Sequence, residues 1–173
     1  MASFTIRAEA PEDGQAIAEV TARAFGKERE ARMVDAIRRS DGYVPELSLV
    51  AELEGRIVGH VMLSYVSLAS DERRVLELGP MSVAPERQRE GIGSALIREA
   101  VRVAEERGEP LVLVLGHATY YPRFGFRPAG ELGIAPPDPD IRDEFFMALP
   151  LRAYDPTLRG RVVFPAAFTD AQG

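Results

Sequence analysis

Apolar and polar residues alternate at Phe4, Ile6 and Ala8, a period of two that predicts a first strand. Pro11 stands where a helix tolerates proline, and Ile17, Val20, Ala24 and Phe25 follow at helical spacing, so a first helix is expected. A second amphipathic helix is expected over about 28–39, with Met33, Ala36 and Ile37 on one side, until Asp41-Gly42 breaks it. Segments 47–53 and 56–68 read as strands of a hairpin closed by Glu54-Gly55, with glycine where the turn needs a positive φ. After a polar turn at 70–73, a strand is predicted over 75–83. Gly79-Pro80 should bulge or splay it, because proline donates no ladder hydrogen bond and glycine packs poorly. Ile92, Ala95, Leu96, Ala100, Val101 and Ala104 then repeat at helical spacing up to Gly108, a C-cap glycine, and the wholly apolar Leu111–Leu115 follows as a short strand. Strand, helix and strand make a parallel βαβ unit. Loop composition from Pro136 to Pro139, a last clear strand over 145–149 and an extended piece over 161–168 complete the pattern, without repeats or a second domain.

Composition narrows the chemistry. With 173 residues the chain fits one domain that buries roughly 70% of its unfolded surface, so a core forms without staples. Cysteine is absent, which removes disulfides, thiolate zinc sites and a cysteine nucleophile, and makes the cytoplasm the expected compartment. Charges interrupt every apolar stretch well short of the roughly 20 residues a membrane span needs, and no signal-like leader opens the sequence, so a soluble, unprocessed protein is expected. The net charge of −6, with arginines interspersed among acids as in Glu28-Arg29-Glu30, argues against nucleic acid as a partner.

The chemistry concentrates at Gln88-Arg89-Glu90-Gly91-Ile92-Gly93, between a strand ending at Val83 and a long amphipathic helix. The first amides of a helix lack intrahelical partners and sit at the positive end of its dipole, and glycines let an anion approach the main chain closely. The amides of Arg89 to Ser94 are therefore the expected donors to a diphosphate. Taken alone the pattern is equally a tight strand-to-helix turn. The competing phosphate motifs fail: the Rossmann glycine set is incomplete, no acid ends Leu111–Leu115, and no Gly-Lys-Ser/Thr follows.

Met81-Ser82-Val83, the loop Gln88 to Gly93 and the apolar helix after it together resemble motif A of the Gcn5-related N-acetyltransferase (GNAT) superfamily. Tyr120-Tyr121-Pro122-Arg123-Phe124-Gly125-Phe126 is similar to a second motif, in which a short helix ends in Gly-Phe and a tyrosine stands four residues before the glycine, here Tyr121. The resemblance spans about 76–127. It implies an α/β (α+β) fold with a central mixed sheet of six to seven strands, flanking helices and a splay between the fourth and fifth strands. It also implies acetyl-CoA as cosubstrate, with no metal, held by Met81, Ser82, Val83, Gln88, Arg89, Glu90, Gly91, Ile92, Gly93 and Ser94. Met81 and Val83 would act through backbone groups, in the manner of an added strand. Glu90 departs from the pattern, since an acid there suits a diphosphate only with its side chain turned outward.

Direct transfer needs a base for the amine and an acid for the leaving thiolate. By resemblance Tyr121 is the general acid, against the alternative of a ring that only packs. Glu77, six residues before Val83, occupies the place of a catalytic glutamate in some members; on an alternating strand it is equally a carboxylate with a raised pKa or a solvated side chain. His117 is a further catalytic candidate near the site, while for both His60 and His117 a structural role weighs more. Acceptor pockets in the superfamily come from its variable segments, here about 25–43 and 134–146. Asp138, Asp140, Asp143 and Glu144 suit a cationic amine by complementarity. The leading expectation is acetylation of a primary amine of a small molecule; dimerisation is common in the superfamily, so the resemblance also leaves a homodimer open. A CoA-binding sensor or partner module without turnover, or an acetyltransferase of protein amines, stands as the alternative.

Overall fold

The computed structural model describes residues 3–169. Strand β1 (Thr5–Ala8) leads through a single turn of 3-10 helix (Pro11–Asp13) into helix α1 (Gly14–Phe25), then α2 (Arg29–Arg38). Strands β2 (Tyr43–Leu53), β3 (Arg56–Leu68) and β4 (Asp71–Val83) form an antiparallel meander. Helix α3 (Ile92–Glu106) and strand β5 (Leu111–Leu115) complete the βαβ unit, with β5 parallel to β4. Beyond it lie β6 (Arg127–Pro128), β7 (Ile134–Ala135), β8 (Phe146–Pro150), β9 (Gly160–Val163) and the short helix α4 (Ala166–Thr169). Seven strands run in the order β1-β2-β3-β4-β5-β8-β6, and β9 pairs with both β3 and β7.

The hairpin turn is as the sequence predicts: Glu54 and Gly55 both take positive φ, 51° and 75°, the geometry that matches strand twist. Two boundaries differ from the pattern reading. The segment 70–73 is mostly strand, because Leu68 pairs with Asp71 and Ala69-Ser70 alone make the turn. Arg73 is held there by hydrogen bonds to Asp155 (2.8 Å) and Thr157 (3.0 Å). The expected extended piece over 161–168 stops at Val163; Pro165 precedes a helical turn whose Phe168 N–H donates to the Pro165 carbonyl at 2.9 Å.

Two apolar clusters cover the two faces of the sheet. Leu49, Val61, Leu63, Leu76, Leu78, Val112 and Val114 pack with Ile92, Leu96 and Ala100 of α3. Val50, Met62, Val66, Val75, Leu111 and Leu113 pack with Ile17 of α1 and Val34 and Ile37 of α2. Alternation along β4 therefore sends Leu76 and Leu78 towards α3, and Val75 and Glu77 towards α1 and α2.

His60 has no surface exposure and lies outside the cleft described below. Its Nε2 is 2.9 Å from Ser48 Oγ, and Nδ1 has no partner. A bare acceptor costs less than a bare N–H, which assigns the proton to Nε2. Ser48 in turn donates to the Glu9 carboxylate, which also accepts from Arg38 (2.8 Å) and Tyr43 (2.7 Å), so the chain of polar groups fastens α2 over β2. Burial lowers the imidazole pKa to about 4. The unfolded chain thus binds a proton that the folded one refuses, and stability falls as pH drops from about 6.5 to about 4, by about 3 kcal/mol over the window. Denaturant titrations at pH 7.5 and 4.5 should show this loss in the wild type and a smaller one in His60→Gln.

Candidate active site

The ladder between β4 and β5 ends at Leu78 and Val114. Opposite β3, residues 79 and 80 form the extra step of a bulge, since Leu63 pairs with Leu78 but Val61 with Met81. Past that point β4 stays with β3 and leaves β5, as Gly79-Pro80 led us to expect. The gap opens into a cleft of about 1390 Å³ bounded by the end of β4, the start of α3, the 115–123 turn and the acceptor-side segments.

At one end of the cleft, α3 begins without any side-chain cap: Gly91 is in the left-handed region (φ 87°), and the first helical bond runs from Ala95 N–H to the Gly91 carbonyl at 3.0 Å. The amides of Ile92, Gly93 and Ser94 are left without helical partners. Arg89 also has positive φ (66°), so the loop turns its peptide groups inward as an anion cradle. A Cβ on Gly93 would lie 3.2 Å from Tyr120 Oη and 3.6 Å from Met81 Cε, so glycine keeps this approach open. Glu90 is exposed, stands 3.7 Å from Arg87 and does not itself line the cleft, which leaves the backbone of the loop free for a diphosphate. The Gln88 side chain donates to the Val83 carbonyl at 3.2 Å and so tethers the loop to the strand end. Ser82 is buried, with Oγ 3.3 Å from Thr21 Oγ1 of α1 and its backbone paired with His60 of β3, so it couples strand to helix and sheet, while Met81 and Val83 on either side turn their main-chain groups away from β3. The donor set therefore fits CoA: uncapped amides for phosphates and a strand edge past Gly79 for the pantetheine amides.

At the floor of the cleft lies Glu77, 3% exposed. The Leu115 backbone N–H hydrogen-bonds its carboxylate, while Oε2 has no partner. Burial raises its pKa to about 8, only partly opposed by that hydrogen bond. Of the two open readings of this residue, the solvated one is excluded by its burial. Tyr121 opens a single turn of 3-10 helix (Tyr121–Phe124) that ends on Gly125 in the left-handed region (φ 95°). Its ring is 8% exposed and packs edge-on against Tyr120 (5.2 Å) and Phe126 (5.6 Å). Burial, then Tyr120 and then Glu77 raise the pKa of its phenol, so it stays protonated at neutral pH. Gly116 lies against the ring, where a Cβ would come within 2.4 Å of Tyr121 Cε2. His117 is exposed at the mouth; its carbonyl accepts from the N–H groups of Tyr120 (3.2 Å) and Tyr121 (3.4 Å), which starts the turn.

Tyr120, read from sequence as structural, reaches further than that: its hydroxyl lies 3.4 Å from Ser94 Oγ over the start of α3. Sequence reasoning also missed the contribution of Arg161, Val163 and Phe168 to the acceptor end of the cleft. The C-terminal segment has no motif, and only its pairing with β3 brings it there. Of the acidic residues expected on that side, only Asp138 lines this cleft. Among the described residues no helix is long and apolar enough to cross a membrane, and no cluster of three or more His, Asp or Glu is arranged for a metal.

The sequence profile of the acetyltransferase (GNAT) family matches residues 14–126. The chain is 38% identical to the uncharacterized N-acetyltransferase YjhQ of Escherichia coli K12, over 92% of this chain and 91% of the relative. It is 32% identical to the uncharacterized N-acetyltransferase YhbS of the same organism, over 73% of this chain and 75% of that one. Among solved structures it resembles a GNAT family acetyltransferase from Brucella melitensis in complex with acetyl-CoA (TM-score 0.80, 35% identity, 97% of this chain and 99% of that one). It also resembles YhbS from E. coli in complex with CoA (TM-score 0.89, 26% identity, 98% and 93%).

Proposed function

We propose that this chain, which belongs to the acetyltransferase (GNAT) family, acetylates the primary amine of a small molecule by direct transfer, with Glu77 as base and Tyr121 as acid. Membership makes it an N-acetyltransferase with acetyl-CoA as cosubstrate. The observation that carries the assignment of roles is the unpartnered Oε2 of a buried glutamate on the floor of the cleft.

Acetyl-CoA supplies the acetyl group as an activated thioester. The amides of Ile92, Gly93 and Ser94, with the Arg89 to Gly91 turn before them, would hold its phosphates, and main-chain groups of Met81 and Val83 its pantetheine arm. Glu77 accepts a proton from the incoming ammonium, and its pKa of about 8 lies near that of an amine, where proton transfer is efficient. As the amine nitrogen bonds to the carbonyl carbon and the carbon–sulfur bond breaks, Tyr121 delivers its phenolic proton to the departing sulfur and regains one from the proton the nitrogen loses on becoming an amide, while Glu77 returns its proton to solvent. His117, exposed at the mouth, lies where the acceptor enters and has no assigned step.

A small acceptor is favoured because the free end of the cleft is closed on several sides, by α2, the 137–141 loop and the 161–169 segment. The test is CoA release on mixing acetyl-CoA with a panel of amines. Tyr121→Phe, which removes one oxygen, is expected to lower kcat by about 10–100-fold with acetyl-CoA affinity retained. Tight acetyl-CoA binding with no release from any amine would favour a sensor module, and release only with peptides or proteins would favour a protein acceptor.

A further inference from the structure

At the acceptor end of the cleft two oppositely charged neighbours, Arg29 and Glu30, open α2 and line the cavity without neutralising each other. Arg29 forms no ion pair among the described residues, and its Nε is buried without a hydrogen-bond partner. Glu30 has a side chain only 13% exposed; Lys27 stands 3.7 Å from Oε1, while Oε2 is buried and unpartnered. Arg38, the other half-buried arginine of α2, is by contrast paired with Glu9. A buried, unpaired guanidinium nitrogen costs free energy unless a ligand supplies the missing acceptor. The cleft they line also carries apolar side chains. The exposed large hydrophobic residues Phe25, Leu115 and Val163 all line this cleft, with Met33 and Ile141 beside them, and Phe145 lies on an adjoining depression.

Resting on the acetyltransferase reading above, we infer that the acceptor is an apolar amino acid with its carboxylate free, bound through that carboxylate by Arg29. Glu30 Oε2 accepts an N–H of the same molecule, and the apolar rim holds its side chain. Alternation along β4 points Glu77 to the face that carries α2, so a molecule anchored on Arg29 presents its amine on the side of the sheet where the base stands. A planar guanidinium pairs with a carboxylate through two parallel hydrogen bonds, which an amide or a bare amine does not reproduce.

The experiment compares kcat/KM for CoA release with phenylalanine, leucine and methionine against their amides and their decarboxylated amines. At least one acid should exceed its own amide by about 10–100-fold, the worth of a charge-assisted pair. In Arg29→Gln the preference should collapse through KM, with acetyl-CoA affinity unchanged; Arg29→Lys should restore part of it. Amides that serve as well as acids, or an Arg29→Gln loss equal for acid and amide, would overturn the inference while leaving the acetyltransferase reading intact. If no amine releases CoA, that reading fails. The inference is then decided by binding of N-acetylphenylalanine and its amide to the CoA-loaded protein, where equal affinities, or none for either, overturn it.

Discussion

Glu77→Gln is expected to lower kcat with the best acceptor amine by about 100–1,000-fold, the lower part of the range for loss of a positioned base, with acetyl-CoA binding intact. The same substitution should stabilise the protein at alkaline pH. A glutamate with its pKa raised from 4.5 to about 8 keeps its proton in the folded state while the unfolded chain releases it. Its stabilising contribution is therefore whole below pH 4.5 and is lost as pH rises through about 8, a difference of up to about 5 kcal/mol. Glutamine carries no such charge, so Tm of Glu77→Gln should exceed that of the wild type at pH 9 and match it near pH 5. Equal activity of the two proteins, or a Glu77→Gln variant less stable at pH 9 than at pH 5 relative to wild type, would remove Glu77 from the role of base.

Gly116→Ala should be almost as damaging, for a steric reason. The new methyl would stand 2.4 Å from Tyr121 Cε2 and 3.0 Å from Cδ2, distances that force the ring or the turn to move. The backbone there is pinned by the Gly116 N–H to Phe145 carbonyl bond at 2.9 Å, so the ring is the part that yields. Stability should fall by about 1–3 kcal/mol, as for other overpacked sites. The kcat should fall to the level of Tyr121→Phe, about 10–100-fold, because both variants lose the same hydroxyl position. Combined with Tyr121→Phe, Gly116→Ala should cost little further kcat, which a double-mutant cycle measures. Full kcat in Gly116→Ala would mean that the Tyr121 hydroxyl takes no part in the reaction.

The parts of the molecule set by local chemistry were readable in the chain. Glu54-Gly55 demanded a turn with positive φ, Gly79-Pro80 demanded a break in the ladder, and Gly91 and Gly93 before an apolar helix demanded an open N-terminus; each is where the pattern placed it. Glu77 was legible as a candidate only, since burial on one face of a strand depends on what packs there, and α1 and α2 lie far off in sequence. The same holds for Arg29 and Glu30, which looked like an ordinary solvated stretch of mixed charge. Gly116 carried no signal at all, because its need for a bare Cα arises from a ring five residues further on that folds back over it. Segment 160–169 was beyond reach for another reason: β9 is fixed by pairing to β3, where Val163 meets Ser67 and Val162 meets Leu68 from the first half of the chain, and Pro165 converts its continuation into a helical turn.

The most direct test of the account is the pH dependence of kcat for amine-dependent CoA release, measured at saturating acetyl-CoA and saturating acceptor in wild type and Glu77→Gln. The wild-type rate should rise through an apparent pKa near 8, as the Glu77 carboxylate loses its proton, and level off above it, and the residual rate of Glu77→Gln should lack that step. A step of the same pKa persisting in Glu77→Gln would place the titrating base elsewhere and contradict the mechanism.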